Sequence, residues 1–290
     1  EHVQDDLMRL SRSIKVLFEK YPEHLEYKNY YTVVLSSIIR NVSNADNRTV
    51  FPGISIKVRA DEAKGLIEYN VNKTFKDALK LKALFHACYE GTSDNTCIIH
   101  NSSSAGKTPN NLNETVDLIV TNPPYISSVR YIETLKLELY WLEHVLDSGE
   151  YHDLAQNMIG NDKLRKADYE ELKLTKYDCI NDIVNQMYSI DKKSSRVISN
   201  YFNEMEKVII KMNKMLKKGS KVVMKIGDSK LKNKKIATGE LLTHIACENG
   251  FTLLESFVDE INANSRTLSP YRNTYSDIIT HDYIIIWEKA

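Results

Sequence analysis

The residues with the most chemical content lie in Asn122-Pro123-Pro124-Tyr125, at the end of the apolar run Asp117-Leu118-Ile119-Val120. Each proline fixes φ near −65° and disfavours helix in the residue before it, so Asn122 and Pro123 are held extended at the end of a strand. In open α/β sheets the carboxyl ends of parallel strands are where ligands bind. The Asn122 amide oxygen and neighbouring backbone carbonyls form a cluster of acceptors suited to a substrate NH2 group. If that nitrogen belongs to a nucleobase or an amide, its lone pair is delocalised and it is a poor nucleophile. Two hydrogen bonds accepted from its protons favour a tetrahedral nitrogen and offset the positive charge that develops during transfer. Tyr125 offers a ring on which a planar base can stack. A plain loop after an edge strand is the alternative for such a tetrapeptide, since Asn-Pro and Pro-Pro are common loop dipeptides.

Elements must exist to place this corner. The segment DDLMRLSRSIKVLFEKY spaces Leu7, Leu10, Ile14, Leu17 and Phe18 as one helical face, and Pro22 separates it from a second apolar helix in YYTVVLSSIIRNVS. A third helix is predicted around KTFKDALKLKALFHACYEG, stopped by Gly91. From residue 96 the texture changes to short β-branched runs: TCIIHN, then VDLIV, KVVMKIGD, FTLLESFVDEI and DYIIIWEKA. A long helix is expected over SVRYIETLKLELYWLEHVL, with Ile132, Leu135, Leu139 and Leu142 on one face. Residues 150–218 read as helical, the last helix ending at Gly219. These alternations predict an α/β fold whose last two strands pair antiparallel, with residues 1–93 a helical region and 94–290 an α/β domain carrying a helical insertion at about 150–218.

The 290 residues carry 39 basic and 39 acidic side chains, a formal charge of zero, which excludes only a uniformly basic surface. Cys88, Cys97, Cys179 and Cys247 lie far apart with no CxxC, so they read as reduced structural thiols and no metal site is expected. No signal pattern is present and no apolar run approaches the ~20 residues needed to span a bilayer, so a cytoplasmic protein with no membrane partner is expected. The lysines of KKGSK near residue 217 and of KLKNKK (Lys230 to Lys235) are candidate phosphate contacts or ordinary surface. The loop NANSRTLSPYRN, with Arg266, Tyr271 and Arg272, is the better candidate for touching DNA because it mixes arginine and aromatic side chains.

VDLIVTNPPY resembles the catalytic motif of amino-methyltransferases that use S-adenosyl-L-methionine, in which Pro-Pro and an aromatic follow the fourth strand. YIETLKLELYWL, at Tyr131 to Leu142, is similar to the helix after that motif in DNA methylases of restriction-modification systems. VVMKIGDSK resembles their next strand, and IIRNVSNAD a segment between cofactor and catalytic motifs. The resemblance implies a Rossmann-like methyltransferase sheet with an added helical N-terminal region, S-adenosyl-L-methionine as cofactor and DNA as partner. It gives Asn122 and the Pro123 carbonyl the target amino group, Tyr125 the stacking role on a flipped base, and Gly227 and Asp228 a structural role at a strand end. Pro124 completes the catalytic motif, and Asn101, Ser102 and Thr121 fall where the cofactor is addressed.

Three family features are missing: a Phe-x-Gly-x-Gly turn after a first strand, an acidic residue ending a second, and an Asp near IIHNSS that addresses the cofactor's adenine, where this chain has Asn101 and Ser102. The lone glycine of VFPGIS, Gly53, follows no strand pattern. The chain therefore begins in what resembles the middle of the family, and a missing N-terminal segment or a second polypeptide is expected to supply the cofactor motif. Asn in the first motif position favours adenine N6 over cytosine N4 as target. Protein-glutamine N5 methylation and a non-catalytic specificity subunit of a restriction-modification system are the other readings.

Overall fold

The computed structural model describes residues 2–43, 45, 52–53, 71–89, 98–100, 102–126, 130–260 and 281–290. They fall into two compact units, one drawn from residues 1–98 and 131–154, the other from 99–130, 155–267 and 271–290.

The first unit is helical. Helix α1 (His2–Lys20) buries Leu7, Ile14 and Phe18, one stripe of the predicted face, while Leu17 at its margin is exposed. Pro22 opens a short 3-10 helix (Pro22–Tyr27), and α2 (Lys28–Ile39) follows with Val34, Leu35, Ile38 and Ile39 buried. Val71 and Phe75 of α3 (Val71–Tyr89) join the same cluster. The long helix expected after the Pro-Pro motif is broken into α4 (Tyr131–Thr134) and α5 (Lys136–Trp141). The break has a packing cause: Leu137, Trp141 and Leu142 lie against the helical cluster, whereas Leu135, at the break, is exposed. Glu143 ends the run at φ 57° and receives the Lys15 ammonium at 2.6 Å. Helix α6 is Ser148–Gln156.

The second unit holds the sheet. Strand β1 (Val116–Thr121) pairs in parallel with β2 (Leu216–Gly227), β2 pairs antiparallel with β6 (His281–Lys289), and β6 antiparallel with β5 (Phe251–Glu260), giving the order β1-β2-β6-β5. The predicted antiparallel pairing of the last two strands is present, and the fold class is α/β with a mainly helical N-terminal region. Helices α7 (Asp178–Ile190), α8 (Lys192–Met215) and α9 (Thr238–Glu248) supply the apolar side chains that meet one sheet face. Leu216, Val222, Met224, Ile226, Phe251, Ile285 and Trp287 are the sheet's share of this core, with Ile198, Phe202, Met205 and Ile209 among those from α8.

Three expectations fail in this unit. Ile98–His100, half of the TCIIHN run, form no strand, and Ile99 is 89% exposed; a β-branched run is stable as a strand only with a neighbour to pair with. Between Gln156 and Asp178 the chain has only a 3-10 turn (Lys166–Asp168) in place of continuous helix. Finally, α8 ends at Met215, and Gly219, at φ +76°, lies inside β2 where the register against β1 jumps between Val116 and Leu118. The glycine therefore serves a bulge and not a helix end. The KLKNKK lysines form an unexpected hairpin, β3 (Ser229–Leu231) and β4 (Lys234–Ile236), with Lys232 and Asn233 both at positive φ as a tight primed turn requires.

Among the described residues the other sheet face is open. By register, Leu118 and Val120 of β1, Val223 of β2, Ile284 and Ile286 of β6 and Phe257 of β5 share it. Val120 is 71% exposed and Phe257 50%. Among the described residues β1 also pairs on one edge only. Parallel strands of this composition are usually covered on both faces. No helix among the described residues is long and apolar enough to cross a membrane.

Met224 and Val120 measure the asymmetry. Met224→Ala, on the covered face, is expected to lower the unfolding free energy by roughly 2–5 kcal/mol. Val120→Ala, on the open face, is expected to cost less than about 1 kcal/mol. Urea titrations of both variants provide the check.

Candidate functional site

The last ladder pair of β1 and β2 is Thr121 with Met224, and the chain then leaves the sheet as Asn122 to Tyr125 without regular structure. Pro123 and Ile126 are buried, Pro124 and Tyr125 half-buried, and Asn122 exposed. The corner is thus anchored by its apolar members, and the amide stands in solvent at the carboxyl end of a parallel pair.

Tyr125 is held at its hydroxyl and packed at its backbone. Its hydroxyl donates to Asp282 Oδ1 at 2.9 Å. Its carbonyl oxygen lies against Gly160, where an added Cβ would stand 3.5 Å from that oxygen and 3.4 Å from the Tyr201 ring. Those distances are ordinary contacts, so it is the backbone, at φ +77°, which an L side chain adopts only at a cost, that selects glycine at position 160. Its N–H donates to Glu204 Oε2 at 3.3 Å. Nearby, the Arg130 guanidinium grips Asp162 through two bonds, Nε to Oδ1 at 3.0 Å and Nη2 to Oδ2 at 3.1 Å. This planar fork joins the segment after the motif to the loop that carries Gly160.

Asp282 is 7% exposed. It is the second residue of β6, directly opposite Gly227, with Asp259 of β5 on its other side. The Lys225 ammonium lies 2.7 Å from Asp259 Oδ2 and 3.4 Å from Asp282 Oδ2, which raises the lysine's pKa, first through the bond to Asp259. Asp228 accepts the Tyr283 hydroxyl at 3.3 Å and the Lys235 ammonium at 2.8 Å. That carboxylate pushes the Tyr283 phenol upward in pKa. Burial does the same to the Tyr201 phenol, whose hydroxyl is enclosed without a hydrogen-bond partner among the described residues.

The structure brings Thr121, Asn122, Pro123, Pro124 and Tyr125 together at one strand end, with Gly227 and Asp228 ending the neighbouring strand. Ser102 is exposed in a turn, its N–H donated to the His100 carbonyl at 3.0 Å. Asn101, Arg266, Tyr271 and Arg272 lie outside the described residues. Among the candidate phosphate-binding lysines, Lys217 is engaged by Asp117 (2.6 Å), Lys232 by Asp191 (3.0 Å) and Lys235 by Asp228. Asp282, Lys225, Gly160 and the Arg130–Asp162 clamp have no motif to betray them. The alternation of DYIIIWEK puts Asp282 on the face of Ile284 and Ile286, but only strand register sets it beside Tyr125. Among the described residues no three His, Cys, Asp or Glu side chains converge as metal ligands would.

No family model matches the chain, and no curated protein does. Among solved structures, a candidate DNA modification methylase of Thermus thermophilus is similar at 12% identity, over 61% of this chain and 46% of that one, with a TM-score of 0.28. The same protein complexed with S-adenosyl-L-methionine gives 13% identity over 61% and 48%, with a TM-score of 0.30. The chain spans under half the length of these structures, and a likeness of that depth fixes neither family nor activity.

Glu204 offers a test of the Gly160 wall. Burial raises its carboxyl pKa, with the Gly160 N–H and the charges of Lys207 and Lys173 opposing. A raised folded pKa means that its stabilising contribution is present below the unfolded value of ~4.3 and is lost as pH rises through the folded one. Glu204→Gln keeps an acceptor for Gly160 and removes the charge. It is expected to raise the urea midpoint at pH 7, with the gain vanishing below about pH 4.

Proposed function

We propose that this chain is the catalytic and base-recognition part of a DNA methyltransferase acting on the exocyclic amino group of a flipped base, with adenine N6 the favoured target. The observation that carries this reading is the exposed Asn122 amide at the carboxyl end of β1, fixed by buried Pro123 and Ile126 beside a tethered Tyr125 ring. In this reading the Asn122 Oδ1 and the Pro123 carbonyl accept the two amino protons. Both bonds strengthen as the nitrogen becomes tetrahedral and positive, so they stabilise the transition state more than the bound base. Tyr125 packs on the base plane and offsets part of the cost of unstacking.

The methyl donor by this reading is S-adenosyl-L-methionine, which supplies an electrophilic methyl group when bound. The residues of this chain fit only the acceptor half of that reaction. The sequence has no Phe-x-Gly-x-Gly turn, and Asp117, an acidic group on β1, is exposed and paired with Lys217. A preceding segment or second polypeptide that adds a strand to β1 and covers Leu118 and Val120 is the natural source of the donor site, in keeping with a restriction-modification assembly. The open face, and the edge of β1 left unpaired among the described residues, support that reading.

Incubation with methyl-labelled S-adenosyl-L-methionine and duplex DNA, together with the full-length or partner chain, followed by digestion to nucleosides, is expected to give labelled N6-methyladenine. Asn122→Ala is expected to lower turnover by about 100-fold or more while DNA affinity persists. Absence of label from every nucleoside overturns the proposal, and unchanged turnover in Asn122→Ala removes the role given to the corner.

A further inference from the structure

We infer that Asp282 is a positioning residue for the proposed methyl transfer, acting through the Tyr125 hydroxyl to fix the plane on which the target base stacks. The inference rests on the function proposed above, but the contact on which it depends is independent of that function.

A half-buried tyrosine on a loop ordinarily rotates about its side-chain bonds, and a ring that must receive a base in one orientation loses that freedom at each encounter. Here the freedom is already removed. The loop is anchored by buried Pro123 and Ile126 on either side, and the far end of the ring is held by a charged acceptor at 2.9 Å, the stronger kind of hydrogen bond. Asp282 is itself fixed. It lies in the β2–β6–β5 ladder, almost fully buried, and its second oxygen faces the Lys225 ammonium at 3.4 Å. Gly227, directly opposite, adds no side chain on that face. Lys225 lies closer to Asp259, at 2.7 Å, so the lysine has a second anchor and Asp282 keeps Oδ1 for the phenol. A buried carboxylate needs partners for both oxygens, and here one of the two is a residue of the proposed catalytic corner.

The test begins with the contact. In protein carrying 13C-labelled tyrosine rings, the Tyr125 signal is assigned by its loss in Tyr125→Phe. It is expected to move toward the position of a free tyrosine in Asp282→Ala. It is expected to stay near its wild-type position in Asp259→Asn, which weakens the Lys225 pair without touching the phenol. Should Asp282→Ala fail to fold, the Asp282 carboxyl signal, assigned by its loss in Asp282→Asn, is expected to move in Tyr125→Phe. An unmoved signal in whichever of these measurements is made overturns the inference. For methyl transfer, Asp282→Ala and Tyr125→Phe are each expected to lower kcat by roughly tenfold with KM for DNA unchanged, and the double variant no further. Asp282→Asn, which keeps an acceptor oxygen, is expected to recover most of the loss. Effects that multiply, or a loss confined to KM, overturn it. Turnover that survives Asn122→Ala removes the methyltransferase reading instead, and the tyrosine signal still decides whether Asp282 holds the ring.

Discussion

Everything at the candidate site depends on the parallel pairing of β1 with β2. That ladder ends at Thr121 and Met224, and its end sets where Asn122 leaves the sheet. Parallel neighbours bring like ends together, so the Asn-Pro-Pro-Tyr corner emerges beside Gly227 and Asp228, although about a hundred residues separate the two strands in the chain. The antiparallel return of β6 then starts at the same end, and this brings Asp282 to Tyr125. Strand direction, more than any single contact, assembles the site.

The same sheet is unequal on its two faces. One receives the apolar stripes of α7, α8 and α9 and contains Trp287, Met224 and Ile226 in full burial. The other shows Leu118, Val120 and Phe257 to solvent among the described residues. Burying a side chain of this size is worth about 1.5–3 kcal/mol relative to leaving it in water, so an open row of them is a standing incentive for something to cover it. Core residues of the covered face account for the packing of the unit, and among the described residues no second helical layer covers the other face.

Much of this was legible in the residues. The β-branched runs of β1, β2, β5 and β6 and the helical stripes of α1, α2 and α8 follow from periodicity alone, because each element's burial is set by its own spacing. The failures come where tertiary contact overrides local pattern. Ile98 and Ile99 have strand propensity without a described strand partner, and the 157–177 segment has helical composition but is held as loop by Gly160 and the Arg130–Asp162 fork. At the site, Asn122 to Tyr125 were readable because two prolines and an aromatic after an apolar run are locally constrained. Asp282 was not, since alternation reveals which face a residue shares but never which strand lies beside it.

At the strand ends three carboxylates meet two ammonium groups. Asp228 faces Lys235 there, and Asp259 and Asp282 share Lys225. These pairs are not equivalent. The Lys235 side chain is largely in water, where an ion pair contributes only about 0–1 kcal/mol, so the pair opens at little cost. Asp282 is enclosed, and removing a partner from a buried carboxylate exposes the full cost of its desolvation. The rim pair can therefore reorganise while the Asp282–Tyr125 contact keeps its geometry. For the function proposed above, that difference separates a Tyr125 ring held in one place from an ion pair at the rim that is free to exchange.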